Sequence, residues 1–411
     1  MIEWSEQHRQ IRSFVRKFVE TEVAPRREAI EHGDAPPYDV MRKMMSTFGV
    51  GDMARAQFEK ELAREKAGEA KPAREGRREK FSNGAADAMA MRLIPIIELS
   101  RYSPGMVTAL GVSMGLTANA IMKRGTIAQK ERFVPPLLTL EKVGAWAITE
   151  PGSGSDAFGS MNATARRDGD GYVLNGQKTF ITNGPYADTI VFICKLDEGN
   201  PPEERKIVSF VLDGETPGLT RSKPLRKMGL HGSPTGELFL DDVRVGRDRL
   251  IGEDEDAAGS RQGAKATFTS ERTGVAAMAL GIVERCLELS VEYAKTRVQF
   301  GRPIGEFQLI QLKLAKMQVA KSNIENLVFR LIEMEGWGLS MDLAEASACK
   351  LYCAQAAMDV ALEAVQLHGG NGYMAEYQVE QLCRDAKVLQ IYGGTDEIQI
   401  SQIARSLLGP R

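Results

Sequence analysis

The chain is short of several things, and each shortage narrows its function. It has 411 residues with a formal net charge of −2, so no global field draws it to nucleic acid. A polyanionic ligand would need a local basic site. Only five cysteines occur: Cys194, Cys286, Cys349, Cys353 and Cys383. An odd, scattered set in a long chain predicts reduced thiols and a cytoplasmic location. Cys349 and Cys353 lie one helical turn apart, but no second ligand pair follows. The four histidines, His8, His32, His231 and His368, have no metal-ligand spacing. No strand–GxGxxG–helix unit and no Walker motif occur, which disfavours a Rossmann or P-loop nucleotide site. The opening MIEWSEQHRQ does not read as a signal peptide, and no apolar run is expected to approach the ~18 residues of a membrane span.

What is present suits a large folded protein. The chain is 43% hydrophobic and 26% charged, with room for two or three domains. Residues 1–143 read as helical, with Ile11, Phe14, Val15, Phe18 and Val19 at helical spacing. Within them, 51–81 is dense in opposite charges and reads as a solvated helix or loop, or as a lid over a pocket mouth. Residues 144–255 change to short strand-like segments. RRDGDGYVLNGQKTFITNG carries a hairpin signal at Asp168-Gly169, and TIVFICKL, KIVSFVL and GELFLDDVRV read as further strands. Residues 256–411 are helical again, with Val275, Met278, Ala279, Ile282 and Cys286 on one helix face. Helices, then strands, then helices predict an α+β chain with an antiparallel middle domain.

Two loops have the equipment of a site. AITEPGSGSDAFG, 147–159, offers hydroxyls at Thr149, Ser153 and Ser155, with glycines that expose backbone N–H groups. That suits a flavin edge or a pyrophosphate, and equally an ordinary polar turn. QIYGGTDEIQ, 390–399, places two glycines before a helix start that Thr395 can cap, with Asp396 and Glu397 in its first turn. No acid or base stands where that chain turns.

These segments occur together with KTFITNG (178–184), RVQFG (297–301), QLHGGNGY (366–373) and CRDAKVLQIYGGT (383–395). In this order and at these distances they resemble the acyl-CoA dehydrogenase family, from the first helix to the last with one poor region at 51–81. The resemblance implies an N-terminal helical domain, a middle antiparallel β-barrel-like domain and a C-terminal four-helix bundle. It implies FAD bound without covalent attachment, α,β-dehydrogenation of an acyl-CoA thioester in fatty acid β-oxidation or a related pathway, and transfer of electrons to an electron-transferring flavoprotein. A homotetramer built as a pair of dimers is expected. By resemblance, Trp146, Ile148 and Thr149 would contact the flavin, Ser155 the pyrophosphate and substrate, and Phe180 and Thr182 the ring. The family often has Trp where Phe180 stands. Arg297, Phe300 and Gln308 would bind FAD, with Gln366, Gly369 and Gly370 from a neighbouring subunit, and Thr395 and Glu397 nearby. Tyr392 and Arg272 would bind substrate. His368 is expected to be a packed structural residue.

The catalytic base is the point of departure. Many members carry a glutamate at the position of Gly393. In isovaleryl- and long-chain-type members it lies instead at the start of the first helix of the last domain, just before an arginine. Here that segment reads FTSERTG, with Glu271 before Arg272. Glu271 is therefore expected to remove the α proton while the β hydrogen leaves as hydride to flavin N5. Read by helix chemistry alone, Glu271 is a carboxylate favoured by the macrodipole. By resemblance the Gly393 backbone N–H would hold the thioester carbonyl, an oxyanion-type contact that needs no side chain. The competing readings are a flavin oxidase or monooxygenase, and a non-catalytic partner subunit.

Overall fold

The computed structural model describes residues 3–32, 35–69, 78–256 and 261–409, without the side chains of 261–271. It opens with helices α1 (Glu6–Phe18), α2 (Arg27–Glu31), α3 (Tyr38–Thr47), α4 (Val50–Lys66) and α5 (Asn83–Ser100). Helix α1 buries Val15 and Phe18, as its spacing predicts. Phe14 departs from that stripe; it is exposed, edge-on to Phe48 at 6.1 Å. The charged segment folds in part as α4, which is not wholly solvated: Phe58 and Leu62 pack on Phe133, Val134 and Leu137. Lys66–Glu131 and Lys130–Glu65 pairs, both 2.5 Å, flank that seam. Residues 70–77 of the segment lie outside the described residues.

Next comes an apolar run: α6 (Pro104–Leu110), a π-helical stretch Gly111–Ala118, and α7 (Asn119–Arg124). By length and composition Pro104–Arg124 could cross a membrane, which corrects the expectation that no run approaches that length. It behaves as a core helix instead. Half of its most apolar window is buried in the fold, and Ser113 accepts the Gly144 N–H at 2.9 Å. π-Helical stretches open a helix and are frequent at functional sites. Here a Cβ built at Gly111 or Gly115 meets nothing within 4 Å. Helix α8 (Ile127–Leu138) follows, with a capping box from Thr126 and Gln129.

Seven strands then form one sheet: β1 (Gly144–Ala147), β2 (Thr164–Asp168), β3 (Gly171–Thr182), β4 (Thr189–Leu196), β5 (Ile207–Asp213), β6 (Leu219–Arg221) and β7 (Thr235–Val245). Their order is β1-β4-β2-β3-β7-β6, with β5 paired to β4. The sheet is mixed rather than antiparallel, because β1 and β2 both run parallel to β4. Alternation along a strand reports burial, not the direction of its neighbour, so parallel pairs joined by long connections are invisible to it. Strand β4 is buried at every position. Ile190, Phe192, Cys194 and Leu196 face the sheet's own core, while Val191 and Ile193 face Phe133, Val134 and Leu137.

The chain ends in α9 (Arg261–Thr296), the small hairpin β8 (Val298–Gln299) and β9 (Arg302–Pro303), α10 (Gln308–Gly336), α11 (Leu343–His368), α12 (Gln378–Val388) and α13 (Asp396–Leu408). Helix α9 packs on α5, α10 and α11. At Gly281 a Cβ would stand 2.2 Å from the Ile97 carbonyl oxygen, so glycine sets the α5–α9 approach. One hydrophobic core therefore runs through helices on both sides of the sheet in sequence. Beside it, Glu98 is fully buried and held by Arg12 (2.8 Å) and Arg16 (2.8 Å), and Arg12 reaches on to Glu284 at 2.7 Å. Leaving one such charge unpaired would cost about 3–5 kcal/mol.

Candidate active site

Strand β1 and the two residues after it carry the first group of candidates: half-buried Trp146, buried Ile148 and half-buried Thr149. A buried ion pair stitches this segment to β3. Lys178 Nζ donates to Glu150 at 2.8 Å and to the Ile148 carbonyl at 3.0 Å, and it lies over the Phe192 ring at 5.3 Å. Burial pulls the Lys178 pKa down, and the Glu150 contact opposes it. Glu150 also accepts the N–H groups of Asn162 (2.6 Å) and Ala163 (2.9 Å), and the Thr179 N–H donates to the Thr149 carbonyl at 2.9 Å. Trp146, Ile148 and Thr149 are thereby fixed beside Phe180 and Thr182. Of the loop hydroxyls, Ser153 is buried and donates to the Asp156 carbonyl at 2.8 Å, whereas Ser155 is exposed.

Phe180 sits in a β-bulge between Lys178 and Ile181, at φ +56° and 68% exposed. A bulky residue in the left-handed region is strained, and such strain persists where the surroundings over-determine it. Three residues on, Asn183 (φ +64°) is fully buried. Its amide donates to the Ala109 and Gly144 carbonyls (3.0 and 2.9 Å), and its oxygen accepts the Tyr38 hydroxyl (3.0 Å).

A second group lies at one end of the helical bundle. Arg297, Phe300 and Gln308 are exposed around the β8–β9 hairpin, and Gln366, Gly369 and Gly370 are exposed at the end of α11. Ala294, Ile304 and Leu367 pack together between them. His368 is buried as expected; its Nδ1–H donates to the Ala364 carbonyl at 2.8 Å, and the ring stacks on Tyr293 at 4.3 Å. Burial lowers its pKa. Among the described residues, none of this group hydrogen-bonds to the Thr149–Thr182 group.

The third group is the glycine turn between α12 and α13. Gly393 and Gly394 have φ of +63° and +89°. Thr395 caps α13, accepting the Ile398 N–H at 3.4 Å, and Glu397 is exposed in its first turn. The Glu397 carboxylate, bonded by its own N–H and by the Thr395 hydroxyl, is held below its usual pKa. A Cβ on Gly394 would stand 2.8 Å from Gln399 Nε2 and 3.5 Å from Arg272 Nη2. Arg272 is buried on α9, and its Nη1 donates to Ser347 at 3.0 Å. The Tyr392 hydroxyl lies 3.4 Å from both Thr108 and the Met278 sulfur. Helices α6, α9 and α11 thus meet at the turn. Position 271 belongs to α9, one residue before Arg272, but the Glu271 side chain lies outside the described residues.

Sequence reasoning missed the buried polar partners Glu150, Asn183, Lys350 and Gln399 and gave Lys178 no role of its own. Lys178 and Asn183 stand inside a quoted motif, but nothing local marks them as buried. Among the described residues no cluster of His, Cys, Asp or Glu could hold a metal ion.

The chain matches the family profiles for the acyl-CoA dehydrogenase N-terminal domain over residues 51–141, middle domain over 145–243 and C-terminal domain over 261–408. An acyl-CoA dehydrogenase of Bacillus subtilis (strain 168) is 38% identical over 401 residues, which is 97% of each chain. The solved structure of butyryl-CoA dehydrogenase from Megasphaera elsdenii superposes with a TM-score of 0.83 at 34% identity, covering 100% of both chains. A glutaryl-CoA dehydrogenase from Mycobacterium smegmatis, solved in complex with FADH2, gives 0.82 at 26% identity, covering 99% of this chain and 96% of that one. With three profiles in order along its length and a relative aligned nearly end to end, the chain belongs to the acyl-CoA dehydrogenase family and catalyses FAD-dependent acyl-CoA dehydrogenation.

Proposed function

We propose that Glu271 is the base of this reaction and that the acyl thioester lies between it and the Gly393–Gly394 turn. The observation that carries this reading is the approach of Arg272 to Gly394, 3.5 Å from where a Cβ would be. It sets the residue after Glu271 against the turn that lacks the family's commoner glutamate. A carboxylate desolvated by bound substrate gains basicity toward a thioester α proton. Gly393 supplies a backbone N–H to the thioester carbonyl, Arg272 and Tyr392 bound the acyl group, and Ser155 contacts substrate from the loop side.

The remaining candidates suit FAD by their own chemistry. Ser155 is an exposed hydroxyl in a glycine loop, Arg297 an exposed guanidinium, and Phe180 and Phe300 are strained rings turned to solvent. Trp146, Ile148, Thr149, Phe180 and Thr182 would hold one region of the cofactor, and Arg297, Phe300, Gln308, Thr395 and Glu397 another, with Gln366, Gly369 and Gly370 reaching across from a second subunit. When bound, FAD supplies the hydride acceptor, flavin N5. We further propose a homotetramer that passes electrons to an electron-transferring flavoprotein in the cytoplasm, acting in fatty acid β-oxidation or related acyl catabolism. Exposed Phe300, Leu309, Leu312, Val319 and Tyr373 support the assembly, and five free cysteines, four of them buried, support the location. The Megasphaera and Mycobacterium enzymes named above act on butyryl- and glutaryl-CoA, and a panel of short and branched acyl-CoA thioesters is the starting point for the substrate.

The test is stopped-flow flavin reduction by the best acyl-CoA of that panel. Glu271→Gln is expected to keep FAD and bind substrate, and to reduce its flavin ~10²–10⁴-fold more slowly, the usual contribution of a positioned base. Reduction at the wild-type rate would remove Glu271 from this role.

A further inference from the structure

The Gly393–Gly394 turn has two buried side chains beneath it whose task the reaction does not explain. Lys350, on α11, is fully buried and donates through Nζ to the Gly394 carbonyl at 2.8 Å. Its Nζ also lies 3.5 Å from Asp396 Oδ1. Gln399, on α13, is likewise fully buried. Its Nε2 donates to the Gly393 carbonyl at 3.1 Å and to the Gly394 carbonyl at 2.7 Å. Two successive carbonyl oxygens are thus drawn to the protein side by side-chain donors from two different helices.

We propose that Lys350 and Gln399 are positioning residues for the thioester-binding turn. A peptide unit is planar, with N–H and C=O pointing opposite ways. Pinning the Gly393 carbonyl therefore sends the Gly394 N–H away from Gln399, and pinning the Gly394 carbonyl does the same for the Thr395 N–H. Two glycines in succession form the backbone with least resistance to a peptide flip. The Gly393 N–H belongs to the preceding peptide, which meets the pinned one at the Gly393 Cα, so a flip of the 393–394 peptide would release the plane next to that donor and turn the Gly393 carbonyl oxygen away from Gln399. The turn needs glycine at 394, because φ is +89° and a Cβ would meet Gln399. Rigidity lost to the glycine pair is thus restored by the two donors. A buried ammonium is costly unless it is well bonded, so its placement under this turn is a specific commitment of the fold.

This inference rests on the reading that Gly393 binds the thioester carbonyl, and the experiment separates the two. In the Glu271→Gln background, acyl-CoA labelled with ¹³C at the thioester carbon binds without turnover, and its carbonyl stretch is recorded by infrared difference spectroscopy. The expected result is a shift to lower frequency on binding, lost or halved on adding Lys350→Met or Gln399→Met. With Glu271 present, the same variants should keep FAD and an unchanged dissociation constant for acyl-CoA within about threefold. They should slow flavin reduction ~10–100-fold, less than deletion of a direct oxyanion donor. Gln399→Met, close in size and uncharged, keeps the test open if losing Lys350 prevents folding. If Glu271→Gln alone shows no carbonyl shift, the assignment of Gly393 falls. If that shift is present and survives in either folded variant, the positioning role is overturned.

Discussion

Two hairpins in this chain turn in two residues, and they solve the same steric problem differently. Between β2 and β3 the paired residues are Asp168 and Gly171, and the left-handed position is Gly169, φ +61°. Between β8 and β9 they are Gln299 and Arg302, and the left-handed positions are Phe300, φ +51°, and Gly301, φ +78°. Glycine takes that conformation freely, whereas a residue with a Cβ is disfavoured by about 1 kcal/mol. The first hairpin is local architecture. The second holds an aromatic residue on strained backbone whose ring is 94% exposed and meets Phe307 edge-on at 6.1 Å, so the fold recovers little from the strain. Phe180 repeats the pattern in the β3 bulge. Strain with so little internal compensation marks surface that something else is meant to cover.

Substitution at the glycines and strained rings separates the two kinds of turn. The largest effect is expected at the 393–394 turn. Gly394→Ala should slow flavin reduction ~10²-fold, because the new methyl displaces Gln399 and the turn by a few tenths of an ångström or more. Stopped-flow reduction with FAD content held equal measures it, and an unaltered rate would make the turn as passive as the Gly169 hairpin. Phe300→Asn should act in two directions at once. Asparagine tolerates the left-handed region, so urea unfolding of the apoprotein should show ~0.5–1 kcal/mol of added stability. Titration of that apoprotein with FAD should show affinity reduced about tenfold. Full retention of affinity would strip the exposed ring of its role. Gly169→Ala should do the reverse, costing ~1 kcal/mol of stability and leaving the reduction rate within about twofold.

The smallest effect concerns pH. Where the β6–β7 loop meets the helices, Glu31, Lys227, His231, Glu380, Arg384 and Asp385 face one another. Burial, and then the Glu31 charge, push the Asp385 pKa up to about 7. The hydrogen bond that its ring donates to the Glu31 carboxylate raises that of His231. Both folded values lie above the unfolded ones, near 4 and 6.5. Their stabilisation is therefore full below those values and lost as pH rises through the folded ones: over about pH 4–7 for Asp385, and from about 6.5 upward for His231. Lys227, lowered to about 8 by burial, adds stability only as pH climbs beyond that. His231→Gln should flatten the decline above pH 6.5 by less than ~1 kcal/mol, because the ring is only half-buried. Urea midpoints at pH 6 and 8 measure it, and an unchanged slope would exclude His231 as its source.

What the sequence disclosed follows from what local pattern can carry. Thr395 as a cap, Gly169 in a hairpin and the strand TIVFICKL depend on neighbours within a few residues, and each stands where expected. The partners of buried polar groups do not. Lys178 and Glu150 are 28 residues apart, and Lys350 and Gly394 are 44 apart. No periodicity distinguishes a buried lysine from a solvated one. The parallel neighbours of β4 were hidden for the same reason. Phe180 and Phe300 stood inside quoted motifs, yet their left-handed backbone could not be anticipated, since bulky aromatics normally avoid it.

The Arg12–Glu98–Glu284 network has a consequence for how the chain is made. Arg12 pairs with residues 86 and 272 positions further on. At ~5–20 residues per second of synthesis, about a quarter to one minute separates the appearance of Arg12 from that of Glu284. Until then the nascent first helix carries a guanidinium with half of its intended company and an apolar face without its cover. That interval is when the growing chain would most need a chaperone, and a truncated product ending before the last helices would be a ready substrate for proteolysis.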